Sequence, residues 1–258
     1  MAEKATMADF DYMEKIQKGG VHPKMRAILI DWLVDVHLKF KLLPESLFLT
    51  VNLIDRFLSK EKVGKEKLQL VGVTCMLIAS KYEEIYAPIV SDFVYITDNA
   101  YSKEEILRME RKVISILNFD LQITSSLRFL ERLQRVLSVD PLFLNLSKYF
   151  LELAQVDFNM LQHSPSMQAT SALYLSLKMA KVNKNWIEPL LSTFTHDEQE
   201  IRGCAKQMFV LFTKAKTSNL QAVRKKYSMP KFNEVALIQV DSASQEKKEV
   251  SQGTIWIN

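Results

Sequence analysis

Four charged residues interrupt apolar stripes in this chain, and a charge on a buried stripe is where chemistry concentrates. Lys81 lies four residues after Leu77 and three after Ile78, while Glu110 lies four after Ile106 and three before Val113. Asp55 falls four after Val51 and three before Leu58, and Arg26 precedes Ile30 by four. Residues three and four apart share a helix face, so each charge sits on or beside an apolar face. A lone buried charge is costly and normally finds an opposite partner. Lys81 with Glu110, and Arg26 with Asp55, are consistent pairings; spacing alone leaves solvent-facing side chains as the other reading for each. The chemistry on offer is ion pairing rather than catalysis. No residue occupies the Gly-rich turn of a nucleophile elbow, and there is no phosphate loop. Glu83 and Glu84 are adjacent, so they point in different directions on a helix and read as a solvated helix end rather than an acid–base pair. Cys75 and Cys204 stand inside apolar helical stretches and read as small buried hydrophobes. His22, His37, His163 and His196 have no metal-ligand spacing, so no metal and no cofactor are expected.

The elements that must position these residues are helical. The 258 residues include only six glycines and few hairpin signals, which argues against an all-β fold. The length suggests one large domain or two. Net charge is +4 with acids and bases interspersed, unlike the clustered Lys/Arg of a nucleic-acid binder. No signal peptide or membrane span is visible, which points to an intracellular protein. The organising stretch is Leu68 to Glu84, uncharged from Leu70 to Ala79. A helix apolar on every side must be wrapped by other elements, and this one is too short to span a bilayer, which needs about 20 apolar residues. It ends abruptly in Lys81-Tyr82-Glu83-Glu84.

Around it the expected order is as follows. Ala8 to Lys18 reads as a short helix stopped by Gly19-Gly20. Pro23 opens a helix from Lys24 to Phe40, which carries Ile30, Leu33 and Phe40 on one face and Met25, Ile28, Leu29, Trp32 and Val36 on another. Pro44-Glu45 begins a helix to about Ser59. Ala87-Pro88 starts a shorter one through about Tyr95. Ser102 to Glu105 is a capping box opening a helix to about Leu117. The second half repeats this rhythm: Ser125 or Ser126 to Leu137, Asp140-Pro141 to Phe158, Ser164-Pro165 to Lys181, Trp186 to Ser192, and a capping box at Thr195 to Glu198 leading to Lys214. At a spacing of 100 residues Gly72 meets Ala172, Leu77 meets Leu177 and Lys81 meets Lys181, so the chain reads as a duplicated five-helix unit. Ser218 to Tyr227 is one more short helix. From Asp241 the sequence is polar and reads as disordered, with an apolar finish at Thr254 to Asn258.

The stretches MRAILIDWLVDVHLKFKLLPESLFLTVNLIDRFLS, LQLVGVTCMLIASKYEEIYAP and DFVYITDNAYSKEEILRMERKVISILNFDL resemble the cyclin box of A- or B-type mitotic cyclins. The resemblance covers about residues 8 to 238, and QHSPSMQATSALYLSLKMA leans towards the B type. It implies an all-α protein of two tandem five-helix cyclin-box repeats with an N-terminal helix and a short C-terminal helix. The expected divisions are an N-terminal helix and linker (1–23), the N-terminal box (24–123), the C-terminal repeat (124–227) and a tail (228–258).

The resemblance also implies a function: a non-catalytic activating subunit of a cyclin-dependent Ser/Thr protein kinase at the G2/M stage, located in nucleus and cytoplasm. The family's kinase-facing lysine and glutamate match Lys81 and Glu110, and Tyr82, Glu83, Glu84, Ile85 and Phe119 fall where members touch the kinase's regulatory helix and activation segment. The family's internal ion pair matches Arg26 and Asp55. Its docking patch for Arg-x-Leu substrates and inhibitors matches Met25, Ile28, Leu29 and Trp32, with Leu68 or Leu70 nearby and Gln69 at the rim. An apolar floor suits the leucine and an acid at the edge suits the arginine. Asp35 matches the acidic position, and Lys39 stands where some members carry another acid. The competing classes are a cyclin-fold transcription factor, which the interspersed charges disfavour, and a helical scaffold without a kinase. No membrane partner is expected.

Overall fold

A computed structural model describes residues 3, 6–180, 184–194 and 196–238. The expected features at Lys181, at Thr195 and from Asp241 to Asn258 lie outside the described residues. Among the described residues there is helix and no strand. The first repeat comprises α2 (Pro23–Phe40), α3 (Pro44–Leu58), α4 (Leu68–Glu83), α5 (Val90–Ile96) and α6 (Lys103–Ile116). It is preceded by the single turn α1 (Tyr12–Lys15). The second repeat comprises α7 (Ser126–Leu137), α8 (Pro141–Val156), α9 (Pro165–Met179), α10 (Ile187–Thr193) and α11 (Glu198–Ala215), and α12 (Ala222–Tyr227) follows it.

Local chemistry sets most of these starts. Pro23, Pro44, Pro141 and Pro165 each occupy the first helical turn, where a missing N–H costs nothing. Ser102 and Glu105 form the expected reciprocal box, with Ser102 Oγ accepting Glu105 N–H and Glu105 accepting Ser102 N–H. Three expectations need correction. The helix over Ala8–Lys18 shrinks to Tyr12–Lys15, because Tyr12 and Gln17 turn inward. Gln17 Nε2 donates to the carbonyls of Leu58 and Glu61, and its Oε1 accepts Val63 N–H. Helix α5 begins at Val90 rather than at Pro88; Ile89 is its N-cap and Asp92 accepts the Ile89 N–H. Helix α11 is capped by Asp197, which accepts Gln199 N–H, so its cap lies two residues beyond the expected Thr195.

The two central helices are wrapped as their composition demands. Helix α4 packs on α2, α3, α5 and α6, and α9 packs on α7, α8, α10 and α11. Leu68 and every residue from Leu70 to Ser80 are buried. Burying each large apolar side chain contributes roughly 1.5–3 kcal/mol, so this helix is the core of its repeat. Gly72 and Ala172, and Leu77 and Leu177, occupy buried positions in the paired helices. The repeats meet where α2 packs on α8, and α12 closes the seam by packing on both.

Candidate functional site

At the C-terminal tip of α4 the buried face gives way to charge. Ser80 is still buried and donates to the Met76 carbonyl. One residue later Lys81 Nζ meets Glu110 Oε1 at 2.6 Å, joining α4 to α6. The lysine is half exposed and the glutamate mostly covered. With the lysine half in solvent, the pair contributes no more than about 1 kcal/mol to stability. Its surroundings are unusual: Tyr82, Ile85, Tyr86 and Ile89 are exposed, Ile85 at 89% and Tyr86 at 93%. Phe119, 76% exposed, stands in a left-handed turn after α6. That turn is tied down by Arg56 Nη2, which donates to Asp120 at 2.9 Å. Large apolar side chains thus stand in water on the residues that follow the lysine of the charged pair.

Glu83 and Glu84 behave differently from their neighbours. Glu84 Oε1 accepts the Leu43 N–H at 2.7 Å and the Ser46 hydroxyl, at the start of α3. Glu83 is pushed above the usual carboxylate range by burial and by the negative charges of Glu45 and Glu84, with Arg128 opposing. Arg128, on α7, approaches Glu45 at 3.8 Å, so the second repeat reaches this corner.

Near the other end of α4, a helical rise of about 18 Å from Lys81 to Gln69, lies an apolar groove of about 320 Å³. It is lined by Met25, Ile28, Leu29 and Trp32 of α2 with Lys65, Leu68 and Gln69. Leu68 lines the groove and Leu70 does not. Asp35 is exposed one turn beyond Trp32 and does not line it, and Lys39 lies over the Tyr95 ring at 5.5 Å. The groove floor is set by a missing side chain: a Cβ on Gly72 would stand 2.7 Å from Leu29 Cδ1.

Behind the groove, Arg26 is fully buried and forks onto Asp55. Tyr12 donates its hydroxyl to the same carboxylate at 2.9 Å. Burial alone would lower the Arg26 pKa, but the Asp55 charge outweighs it and holds the group above its ordinary value. Burial and Asp55 together raise Tyr12. Both residues stay in one protonation state across the physiological range. A second buried pair escaped sequence reasoning. Lys226 of α12 donates to both oxygens of Glu152 on α8, at 2.6 and 2.8 Å, and Tyr227 adds a bond at 2.7 Å. Asp31 of α2 accepts the Ala222 N–H at 3.0 Å and so caps α12.

The described residues assemble no catalytic triad. Ser166 Oγ does contact His196 Nε2 at 2.8 Å, but Glu3 bonds the serine rather than the histidine, so this cluster caps the start of α9. No group of three or more His, Cys, Asp or Glu among the described residues could hold a metal ion.

The described residues thus form a duplicated helical bundle whose central rod α4 ends in a charged pair at one tip and borders an apolar groove near the other. Its two halves match the family models of the cyclin N-terminal domain, over residues 1–122, and the cyclin C-terminal domain, over residues 124–241. The chain belongs to the cyclin family. It is 46% identical over 226 residues to G2/mitotic-specific cyclin-B of Spisula solidissima, covering 88% of this chain and 52% of that protein. It is 44% identical over 241 residues to cyclin-A1-1 of Oryza sativa subsp. japonica, covering 91% and 47%. The chain thus spans about half the length of these curated relatives. Among solved structures, a viral cyclin from herpesvirus saimiri shares the fold with a TM-score of 0.69 at 20% identity, covering 79% of this chain and 89% of that one. A chain of the yeast RNA polymerase II CTD kinase CTDK-1 complex does so with a TM-score of 0.68 at 14% identity, covering 92% and 87%.

Proposed function

We propose that this cyclin is the activating, non-catalytic subunit of a cyclin-dependent Ser/Thr kinase that acts at G2/M. The observation that carries this reading is the Lys81–Glu110 pair standing among exposed Tyr82, Ile85 and Tyr86. Such a surface suits a kinase's regulatory helix: the apolar side chains bury against it, and the charged pair meets its polar backbone end. Held there, the helix completes the kinase's Lys–Glu ion pair and orders the activation loop. The cyclin contributes no reacting group. The mitotic assignment is supported by relatives named as G2/mitotic-specific, and relatives of both B and A type are similarly identical, with the B type preferred on QHSPSMQATSALYLSLKMA. The Met25–Trp32 groove is the docking site for Arg-x-Leu substrates and inhibitors, and the complex works in nucleus and cytoplasm. Co-purification with candidate cyclin-dependent kinases, followed by a phosphorylation assay, tests the reading. Recovery of an active kinase supports it; binding to DNA with a steep inverse salt dependence, and to no kinase, overturns it.

A further inference from the structure

Helix α3 begins without a cap of its own. Its N-cap residue is Leu43, whose side chain accepts nothing, and Pro44 follows. A helix N-terminus carries unpaired N–H groups and partial positive charge, and here the acceptor comes from a different helix. Glu84 is the C-cap residue of α4, and its Oε1 takes both the Leu43 N–H and the hydroxyl of fully buried Ser46. The Leu43 carbonyl is held from the opposite direction by His37 Nε2 at 3.0 Å. At Glu84 itself the backbone leaves the helix, with φ −90° and ψ 143°. The next residues, Ile85 and Tyr86, are the most exposed large apolar side chains described. The exposed segment therefore departs from a residue whose carboxylate is anchored through Oε1 on the start of α3.

We infer that Glu84 is a positioning residue. By capping α3 it fixes the direction in which the chain leaves α4, and thereby where Ile85 and Tyr86 stand for a partner kinase. This rests on the kinase reading above for its functional consequence, but not for its structural one. A contact residue and a positioning residue differ in what they require of the side chain. A salt bridge to a kinase cation needs the negative charge. The cap needs only an acceptor oxygen at the right distance, which glutamine also supplies.

The test uses Glu84→Gln, Glu84→Ala and Ser46→Ala in the full chain. Kinase affinity is expected to fall about tenfold or more in Glu84→Ala and to stay within about threefold of wild type in Glu84→Gln. Ser46→Ala should give a smaller loss, and adding it to Glu84→Ala should cost little more, because the two share one interaction. Equal loss in the glutamine and alanine variants would overturn the inference in favour of a direct charge contact. Amide hydrogen exchange of the free chain separates this from the kinase reading. Glu84→Ala should accelerate exchange over residues 82–89 and at Ser46, and Glu84→Gln should not. Unchanged exchange in Glu84→Ala overturns the positioning role whatever the kinase does; accelerated exchange without any kinase binding overturns the kinase reading alone.

Discussion

The Arg26 guanidinium grips both carboxylate oxygens of Asp55, Nε at 2.6 Å and Nη2 at 2.7 Å, while Nη1 reaches the carbonyls of Gln155 and Val156 in the second repeat at 2.9 and 3.3 Å. One side chain thus links α2, α3 and the end of α8. With Tyr12 on the same carboxylate, the N-terminal turn is fastened to the same point. Removing one partner leaves a buried, unpaired charge, which typically costs about 3–5 kcal/mol. Arg26→Ala and Asp55→Ala should each destabilise by that amount in urea unfolding. Arg26→Lys should not rescue, because a single ammonium nitrogen cannot stand at once where Nε and Nη2 meet Asp55 and where Nη1 meets the Gln155 and Val156 carbonyls. A loss below about 1 kcal/mol would mean the pair is dispensable.

His37 makes stability pH-dependent. Its pKa is lowered to about 4 by burial and by the Lys226 charge, with Glu152, the Leu43 carbonyl and Glu84 opposing. The folded state therefore binds its proton less readily than the unfolded state, whose value is near 6.5. Stability from this group is complete above about pH 6.5 and is lost as pH falls towards 4. Unfolding free energy should drop by about 2 kcal/mol between pH 7 and pH 5, and His37→Gln should flatten that slope. An identical slope in the variant would show that another group is responsible.

Gly72→Ala should damage the groove. Glycine to alanine inside a helix ordinarily stabilises by about 1 kcal/mol, but here the new methyl meets Leu29 at 2.7 Å. Leu29 must move towards the groove it lines, and overpacking of this kind costs about 1–3 kcal/mol. Binding of a labelled Arg-x-Leu peptide, followed by fluorescence polarisation alongside Tm, should weaken together with stability. A lowered Tm with unchanged peptide affinity would contradict the placement of the docking site.

Met25→Ala/Trp32→Ala addresses the groove from its own floor. Phosphorylation of Arg-x-Leu substrates should lose about tenfold in kcat/KM, equivalent to roughly 1.4 kcal/mol, while short peptides without that motif are spared. Equal loss on both substrate classes would assign these side chains to folding alone.

What was legible in the sequence follows a physical rule. Arg26, Asp55, Lys81 and Glu110 stood out because each breaks an apolar stripe within its own helix, and the structure joins them in the two pairs that spacing allowed. The tight packing around α4 was legible for the same reason, since an uncharged rod has to be wrapped. Glu152 carried a comparable signal, three residues after buried Tyr149 in an apolar helix, but its partner did not. Lys226 sits in Arg224-Lys225-Lys226, which reads as a solvated basic run until α12 docks on α8 and buries one of the three. Glu84 reads as a surface residue because the uncapped start at Leu43-Pro44 does not say that its acceptor lies 41 residues away. In the sequence Tyr12 and Gln17 read as part of a longer helix, because their partners lie 41 or more residues away. Interactions within one helix are written in its periodicity, and interactions between distant helices are not.

The proposed activation of a kinase by the Lys81 tip of α4 is measured most directly as kinase activity on a short peptide lacking Arg-x-Leu, at saturating and limiting cyclin, for wild type and for Lys81→Ala/Glu110→Ala. Because Lys81 is half in solvent and the double variant leaves neither charge unpaired, the double variant should keep its Tm within a few degrees and lose at least about tenfold in activation, or about 1.4 kcal/mol. Full activation by a folded double variant would contradict the claim.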